Sequence, residues 1–358
     1  MKKEIFPKPE SENRVRRFKM KTTWLVFLLM LLGGAADVCA QSALDGFDPS
    51  ANGQVRVVVV QPDGKVLIGG DFTTVTPNGG PTVTRNRIAR LNPDGTLDTV
   101  FNPSANSSVD AIVVLADGKI LVGGAFNGAN SIGGQPRNRI ARLDPIVGSA
   151  DSWVPNANGE VYAIAVQADG KILAGGLFLG ANSIGGQTRN RIARLDATTG
   201  AADSFDPNAN SDVRALVVQA DGRILAGGLF NGANSIGGQT RNRIARLNPV
   251  TGAADSFDPN ANNNIRSIAL QADGKVLIGG DFTALAPNGG AVVTRNRIAR
   301  LDPATGAADS FNPNASFFIT SIAVQADGKI LVGGAFTQIG GQPRNFLARL
   351  NSASGLAD

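Results

Sequence analysis

Residues 205–256 read FDPNANSDVRALVVQADGRILAGGLFNGANSIGGQTRNRIARLNPVTGAADS, and this stretch decides the fold because the chain carries six copies of it. A marker of Asp-Gly followed by Lys or Arg has its aspartate at Asp63, Asp117, Asp169, Asp221, Asp273 and Asp327, spaced by 54, 52, 52, 52 and 54 residues. A second marker, aromatic-x-Pro, begins at Phe47, Phe101, Trp153, Phe205, Phe257 and Phe311 with the same spacings. Positions held fixed among the copies are those the unit needs in order to fold. Positions that differ are released from that duty.

Four short strands are expected in each unit. In the copy above they are VRALVVQ (213–219), RILAGGLF (223–230), RNRIARLN (241–248) and the segment running through AADSFDP. Asp-Gly between the first two supplies the positive φ of a tight hairpin turn. The Gly227-Gly228 pair in the second permits close backbone approach or a bulge. Strands apolar on both faces imply sheets stacked between sheets. Four strands in about 52 residues, repeated six times, match the blade of a β-propeller. The expected fold is therefore all-β, a six-bladed β-propeller of four-stranded antiparallel blades over residues 41–358, with units starting at 47, 101, 153, 205, 257 and 311. The chain ends at Asp358 in the phase at which the first copy opens, so LDGFDP (44–49) is expected to serve as the outer strand of the last blade.

Composition excludes several chemistries. There is no histidine, and the single cysteine is Cys39. His-based acid–base catalysis, Cys nucleophiles, Cys/His zinc sites and Ser-His-Asp triads are thereby removed. Residues 1–40 hold eight Lys/Arg and four Asp/Glu, leaving 26 against 25 in the rest, so the formal charge of +5 belongs mostly to the N-terminal segment. No global basic field draws the repeats to nucleic acid or an anionic membrane.

Residues 1–40 read as a secretory signal segment, and translation is expected to start at Met20. Lys21 precedes an apolar run from Trp24 to Leu32, and Val38-Cys39-Ala40 forms a small-residue cleavage site, so cleavage is expected after Ala40. That run is too short to span about 30 Å of hydrocarbon comfortably. The expected location is secreted or cell-surface, with no membrane span after cleavage and no disulfide.

The pattern V-x-A-I-x-V-Q-x-D-G-K-I-L-x-G-G-x-F, followed by R-x-x-x-A-R-L and F-x-P, resembles the delta-60 repeat of secreted bacterial proteins. The resemblance covers essentially all of residues 43–358. It implies a β-propeller and an extracytoplasmic setting, and it carries no biochemical activity with it. The double glycine is also similar to kelch units, whose following Tyr and Trp are missing.

RNRIARL starts at Arg85, Arg137, Arg189, Arg241 and Arg295, and a sixth copy at Arg344 reads RNFLARL. Alternation places the first two arginines with Ala and Leu on one face and the last with Ile on the other. A guanidinium on such a strand needs a carboxylate or several carbonyls. The last arginine of each copy (Arg90, Arg142, Arg194, Arg246, Arg300, Arg349) is therefore expected to pair with a repeated aspartate and to serve structure, as are the turn aspartates Asp63, Asp117, Asp169, Asp221, Asp273 and Asp327. The middle arginine, replaced by Phe346 in the sixth copy, is the dispensable one.

Candidate ligand-binding residues are those that break the repeat. The second residue of the first strand reads Arg56, Asp110, Tyr162, Arg214, Arg266 and Thr320, and two positions earlier stand Gln54, Ser108, Glu160, Asp212, Asn264 and Phe318. First strands line the channel of a propeller, so Arg56, Asp110, Glu160, Tyr162, Asp212, Arg214 and Arg266 are expected at its rim, on the loop-rich face. The run Asp206, Asn208, Asn210, Asp212 resembles the start of a calcium loop, but Val217 stands where an EF-hand needs its acid. No cofactor or metal is expected, beyond weak calcium binding. A tyrosine–carboxylate–arginine hydrolase of the sialidase-like kind would use Tyr162, Glu160 and the rim arginines, though the Ser-x-Asp-x-Gly motif of those enzymes is missing. The expected function is a non-catalytic, monomeric binding or scaffold module for a protein or glycan. A glycan-active hydrolase or lyase is the alternative.

Overall fold

The computed structural model describes residues 47–358 together with a two-residue strand at Phe27–Leu28. Apart from those two residues, the expected signal segment and its cleavage site lie outside the described residues, as do Leu44–Gly46.

Each repeat folds around one antiparallel sheet in chain order, and the first, fifth and sixth add a two-stranded hairpin (Thr74–Val75 with Val83–Thr84, Ala284–Leu285 with Val293–Thr294, Gln338–Ile339 with Gln342–Pro343). The inner strands are Val55–Val60, Val109–Val114, Val161–Val166, Val213–Val218, Ile265–Leu270 and Ile319–Val324. The middle strands are Val66–Gly70, Ile120–Gly124, Ile172–Gly176, Ile224–Gly228, Val276–Gly280 and Ile330–Gly334. The outer strands are Ile88–Leu91, Ile140–Leu143, Ile192–Leu195, Ile244–Leu247, Ile298–Leu301 and Leu347–Leu350. Among the described residues there is no α-helix, only two single turns of 3₁₀ helix at Pro77–Gly79 and Pro287–Gly289.

The blades have three full strands where four were expected. The fourth is reduced to one bridge per blade, such as Leu247↔Ala254, flanked by Asn248 N–H to Ala253 O (2.8 Å) and Asp255 N–H to Arg246 O (2.9 Å). It stops there because the Asp255 carboxylate accepts the Phe257 N–H at 2.8 Å and bends the chain out of the ladder. In the sixth blade this position is filled by the chain's own Ala357 opposite Leu350. Leu44–Gly46 of the expected completing segment LDGFDP lie outside the described residues.

The third strand is also shorter than expected, comprising only Ile-Ala-Arg-Leu. The middle arginine has a left-handed backbone (φ 66° at Arg87, 65° at Arg139, 66° at Arg191, 69° at Arg243, 68° at Arg297), and so does Phe346 at 68°. This kink ends the alternation, so the expected sharing of a face by the first two arginines with Ala and Leu does not hold. The kinked residue is held by hydrogen bonds on both sides, Arg243 N–H to Phe230 O and Gly228 N–H to Arg243 O, each 2.8 Å.

The core lies between blades. One cluster joins Ala163, Ala165, Leu173 and Ile192 of the third blade to Phe205, Val213, Leu216 and Phe230 of the fourth, and equivalent clusters fill the other successive seams. Burying each such phenylalanine stabilises by roughly 1.5–3 kcal/mol. The double glycine sets the spacing. A Cβ on Gly227 would come within 2.7 Å of Ile265 in the next blade, and one on Gly228 within 1.9 Å of Asp212 O. The outward face of the sixth blade is less covered: Leu347 is 49% exposed, whereas Ile244 at the same position is fully buried.

Candidate functional site

The inner strands do not run in simple register with their neighbours. Val213 pairs with Gly228 and Ala215 with Gly227, so Arg214 is the extra residue of a β-bulge. The same shift falls at Arg56, Asp110, Tyr162, Arg266 and Thr320. A bulge leaves its extra residue out of the ladder and re-aims its side chain. All six project into one cavity of about 400 Å³, whose wall also contains Gln54 and Phe318. The unrepeated positions of six distant segments thus meet at one end of a common channel.

Charged groups there are paired with one another. Arg56 donates to Asp71 (2.9 Å) and lies 3.3 Å from Asp110. Arg266 donates to Asp281 (3.0 Å) and stacks over Phe318, 4.7 Å from the ring centre. Arg214 reaches Asp212 (3.3 Å) and stacks over Tyr162 at 4.9 Å. The Tyr162 hydroxyl donates to Glu160 at 2.7 Å. Glu160 and Asp212 therefore stand behind the rim, each holding a bulge residue in place. Burial pushes the Asp110 carboxyl up to about 6, the Arg56 charge opposing the shift while Glu160 and Asp71 add to it. Burial, and then the hydrogen bond to Glu160, push the Tyr162 phenol upward as well.

Two carboxylates that hold the rim arginines escaped the sequence reading, Asp71 with Arg56 and Asp281 with Arg266. Their signal was available: the residue after Gly-Gly reads Asp71, Ala125, Leu177, Leu229, Asp281 and Ala335, an aspartate only where the bulge carries Arg56 or Arg266. The middle arginines also reach this region. Arg191 lies 3.2 Å from Asp212 and Arg243 donates to Asn264 at 3.2 Å, linking the third blade to the fourth and the fourth to the fifth.

The last arginines sit elsewhere, at the seams. Arg90 Nε donates to Asp98 (2.9 Å), its terminal nitrogens donate to the carbonyls of Pro145 and, at 3.1 Å, Ile146 of the next blade, and its plane lies 4.4 Å from the Phe101 ring centre. Arg142, Arg194, Arg246 and Arg300 repeat this with Asp151, Asp203, Asp255 and Asp309, each at 2.7 Å. Arg349 pairs with Asp358 at 3.1 Å. The basic residue after each turn joins the same aspartate, as Lys65 does with Asp98 at 2.9 Å and Arg223 with Asp255 at 3.8 Å. Burial pushes the Asp98 carboxyl up, but Lys65 and Arg90 outweigh it and hold it at about 2. The turn aspartates accept the N–H two residues on, from Asp63–Lys65 (3.1 Å) to Asp327–Lys329 (3.0 Å).

The calcium-like run is occupied by protein donors. Asn208 Oδ1 accepts from Asn190 (2.7 Å), Asn210 Oδ1 from Asn231 N–H (3.3 Å), and Asp212 faces Arg191 and Arg214. Among the described residues no group of three or more acidic, Cys or His side chains is placed to hold a metal ion. No helix there is long and apolar enough to cross a membrane.

A family model described as "Domain of unknown function (DUF5122) beta-propeller" matches residues 61–101, 115–152, 167–205, 219–257, 271–311 and 325–358. No curated protein matches the sequence. The structure is similar to virginiamycin B lyase from Staphylococcus aureus, at 17% identity and a TM-score of 0.54 over 87% of this chain and 84% of that one. It is also similar to the extracellular domain of a putative hybrid two-component system from B. thetaiotaomicron, at 14% identity and a TM-score of 0.53 over 85% of this chain. This chain spans 36% of the length of that protein. Identities this low speak to the fold alone.

Proposed function

From the premise that the chain belongs to the DUF5122 β-propeller family, we propose that it is a secreted, non-catalytic binding module that holds a glycan or protein ligand at the channel rim, within the delta-60 type of repeat and as a ring of six blades. The observation that carries this reading is the convergence of the six bulge residues on one cavity. Most of the unit around them repeats, whereas they, the residues two positions earlier and the residue after Gly-Gly differ in charge and size. Their charges are matched pairwise, which suits recognition of a polar, uncharged surface through carboxylate and guanidinium hydrogen bonds more than attack on a bond. A glycan array probed with the purified protein, with and without calcium, tests it. Binding that is lost in Arg266→Ala and kept in Arg349→Lys is the expected result. Retention of binding in Arg266→Ala removes the rim from consideration.

One observation favours a hydrolase or lyase instead. Asp110 is a nearly buried carboxyl held up to about 6, close to where a general acid works, and Glu160 lies 2.7 Å from the Tyr162 hydroxyl. Structures of this fold include both a lyase and an extracellular domain, so the choice falls to the site rather than to the fold. Glycosidase or lyase turnover abolished by both Asp110→Asn and Tyr162→Phe would decide for catalysis. Binding without turnover decides for the module.

A further inference from the structure

The opposite mouth of the channel has features the rim does not explain. Each inner strand is followed there by Gln61, Leu115, Gln167, Gln219, Gln271 or Gln325. The backbone of this residue closes the hairpin, as in Gln219 N–H to Arg223 O at 2.8 Å, and Leu115 does the same with Lys119 O at 2.8 Å. The hairpin therefore has no need of a carboxamide. Yet in all five glutamines the Oε1 atom is buried and accepts no hydrogen bond. Gln61 and Gln167 are only 9% exposed. A buried carbonyl without a donor is destabilising, and such groups in native proteins call for an explanation.

Gln271 and Gln325 line a cavity of about 700 Å³ at this mouth, walled by apolar side chains of the third to sixth blades that include Val166, Val218, Leu270 and Val324. That volume falls in the range of ligand sites, roughly 300–1,000 Å³. The wall contains one carboxylate, Asp273, and no cationic side chain. The channel edge of an inner strand also accepts an extended segment: the backbone of Phe27–Leu28 lies as a parallel strand against Val58–Val59. It seats between the first and sixth blades, where it also packs beside Ile319–Val324, a strand that contributes Ile322, Ala323 and Val324 to the cavity wall.

We propose that this mouth is a second binding site, which takes an extended, apolar, uncharged peptide segment. Its side chains pack on the aliphatic wall, while its N–H and C=O groups meet the carboxamides, which both donate and accept, and the free strand edges. An acyl chain offers the carboxamides nothing, a glycan offers the wall too little, and a cationic or anionic peptide would lose its solvation with at most one counter-charge.

The test is fluorescence anisotropy of the full chain with a labelled, end-blocked peptide, acetyl-Val-Ala-Phe-Val-Ala-amide. Its comparators are the same peptide with a central Glu or Lys, and n-decanol as a competitor. Gln219→Leu, Gln271→Leu and Gln325→Leu together copy Leu115, and the single Gln271→Leu variant guards against misfolding of the triple. Expected are binding of the neutral peptide, at least tenfold weaker binding in the triple variant, a smaller loss in the single, and an unchanged or raised urea midpoint in both. The proposal is overturned by absence of binding to the wild-type chain, by equal binding in the variants, or by a lowered midpoint, which would make the glutamines structural. Equal binding of the charged peptides, or displacement by decanol with the same glutamine dependence, also overturns it in favour of a different ligand.

Discussion

Arg90→Lys separates a structural role for the seam arginines from an anion-binding one. Arg90 holds Asp98, two carbonyls of the next blade and the face of Phe101, and its side chain is 7% exposed. Lysine keeps the charge, but one ammonium cannot reach the carboxylate and both carbonyls while lying flat on the ring. Two lost hydrogen bonds cost about 1 kcal/mol each, and the lost stacking adds roughly 0.5–2 kcal/mol. The expected destabilisation is about 2–4 kcal/mol. Arg349→Lys is the internal control: its side chain is 39% exposed and its partner is Asp358 alone, so a change within about 1 kcal/mol is expected. Urea denaturation followed by fluorescence reports both, since Trp153 is buried at the seam between the second and third blades. Equal losses in the two variants would refute the assignment of stability to cross-blade contacts. An unchanged midpoint in Arg90→Lys together with loss of an anionic ligand would restore the binding reading.

Four further outcomes are expected. Asp98 is held at about 2 against an ordinary 3.8, so its contribution of about 2 kcal/mol is complete above pH 4 and is lost as pH falls through 2; Asp98→Asn should flatten that acid limb in a pH-resolved melt. Asp110 has the opposite sign: raised to about 6, it binds its proton more tightly folded than unfolded, so stability declines as pH rises from 4 to 6, and Asp110→Asn should remove the slope. Gly228→Ala drives a Cβ to 1.9 Å from Asp212 O and should cost at least about 3 kcal/mol by denaturation, whereas Gly232→Ala, in open space at φ 77°, should cost about 1–2 kcal/mol. Arg243→Phe copies Phe346, which holds the same left-handed backbone, and should stay within about 1 kcal/mol of wild type by the same measurement.

The period, the hairpins and the stacking of two-faced strands were legible because each is a local pattern repeated six times. The fourth strand was not, because its end is set by a side chain: the Asp255 carboxylate competes with the ladder for the Phe257 N–H. The kink at Arg243 was hidden for a different reason. Left-handed φ is signalled by Gly or Asn, and an arginine there is held by its neighbours' hydrogen bonds rather than by its own preference. Carbonyl partners leave no trace in sequence at all. Nothing in the residues near Arg246 announces that its guanidinium is bonded to Pro303 O, 57 residues away.

At the site, the rim positions were readable as unrepeated residues, but the reason they face the channel was not. Simple alternation puts Arg214 on the face opposite Val213, between blades, where a charge would be expensive. It escapes that fate because the strand carries one residue more than its partner. The bulge in turn requires Gly228, since any Cβ there would strike the carbonyl of Asp212, the residue that also grips Arg214. Fold and site are thus joined at one dipeptide. Gly227 lets the next blade approach, and Gly228 lets the inner strand buckle and present its odd residue to the channel. A propeller built this way can vary the bulge residue blade by blade without disturbing a seam, because the side chain packs against no core cluster. That freedom explains how six nearly identical units can bring six bulge residues so unlike one another to the wall of one cavity.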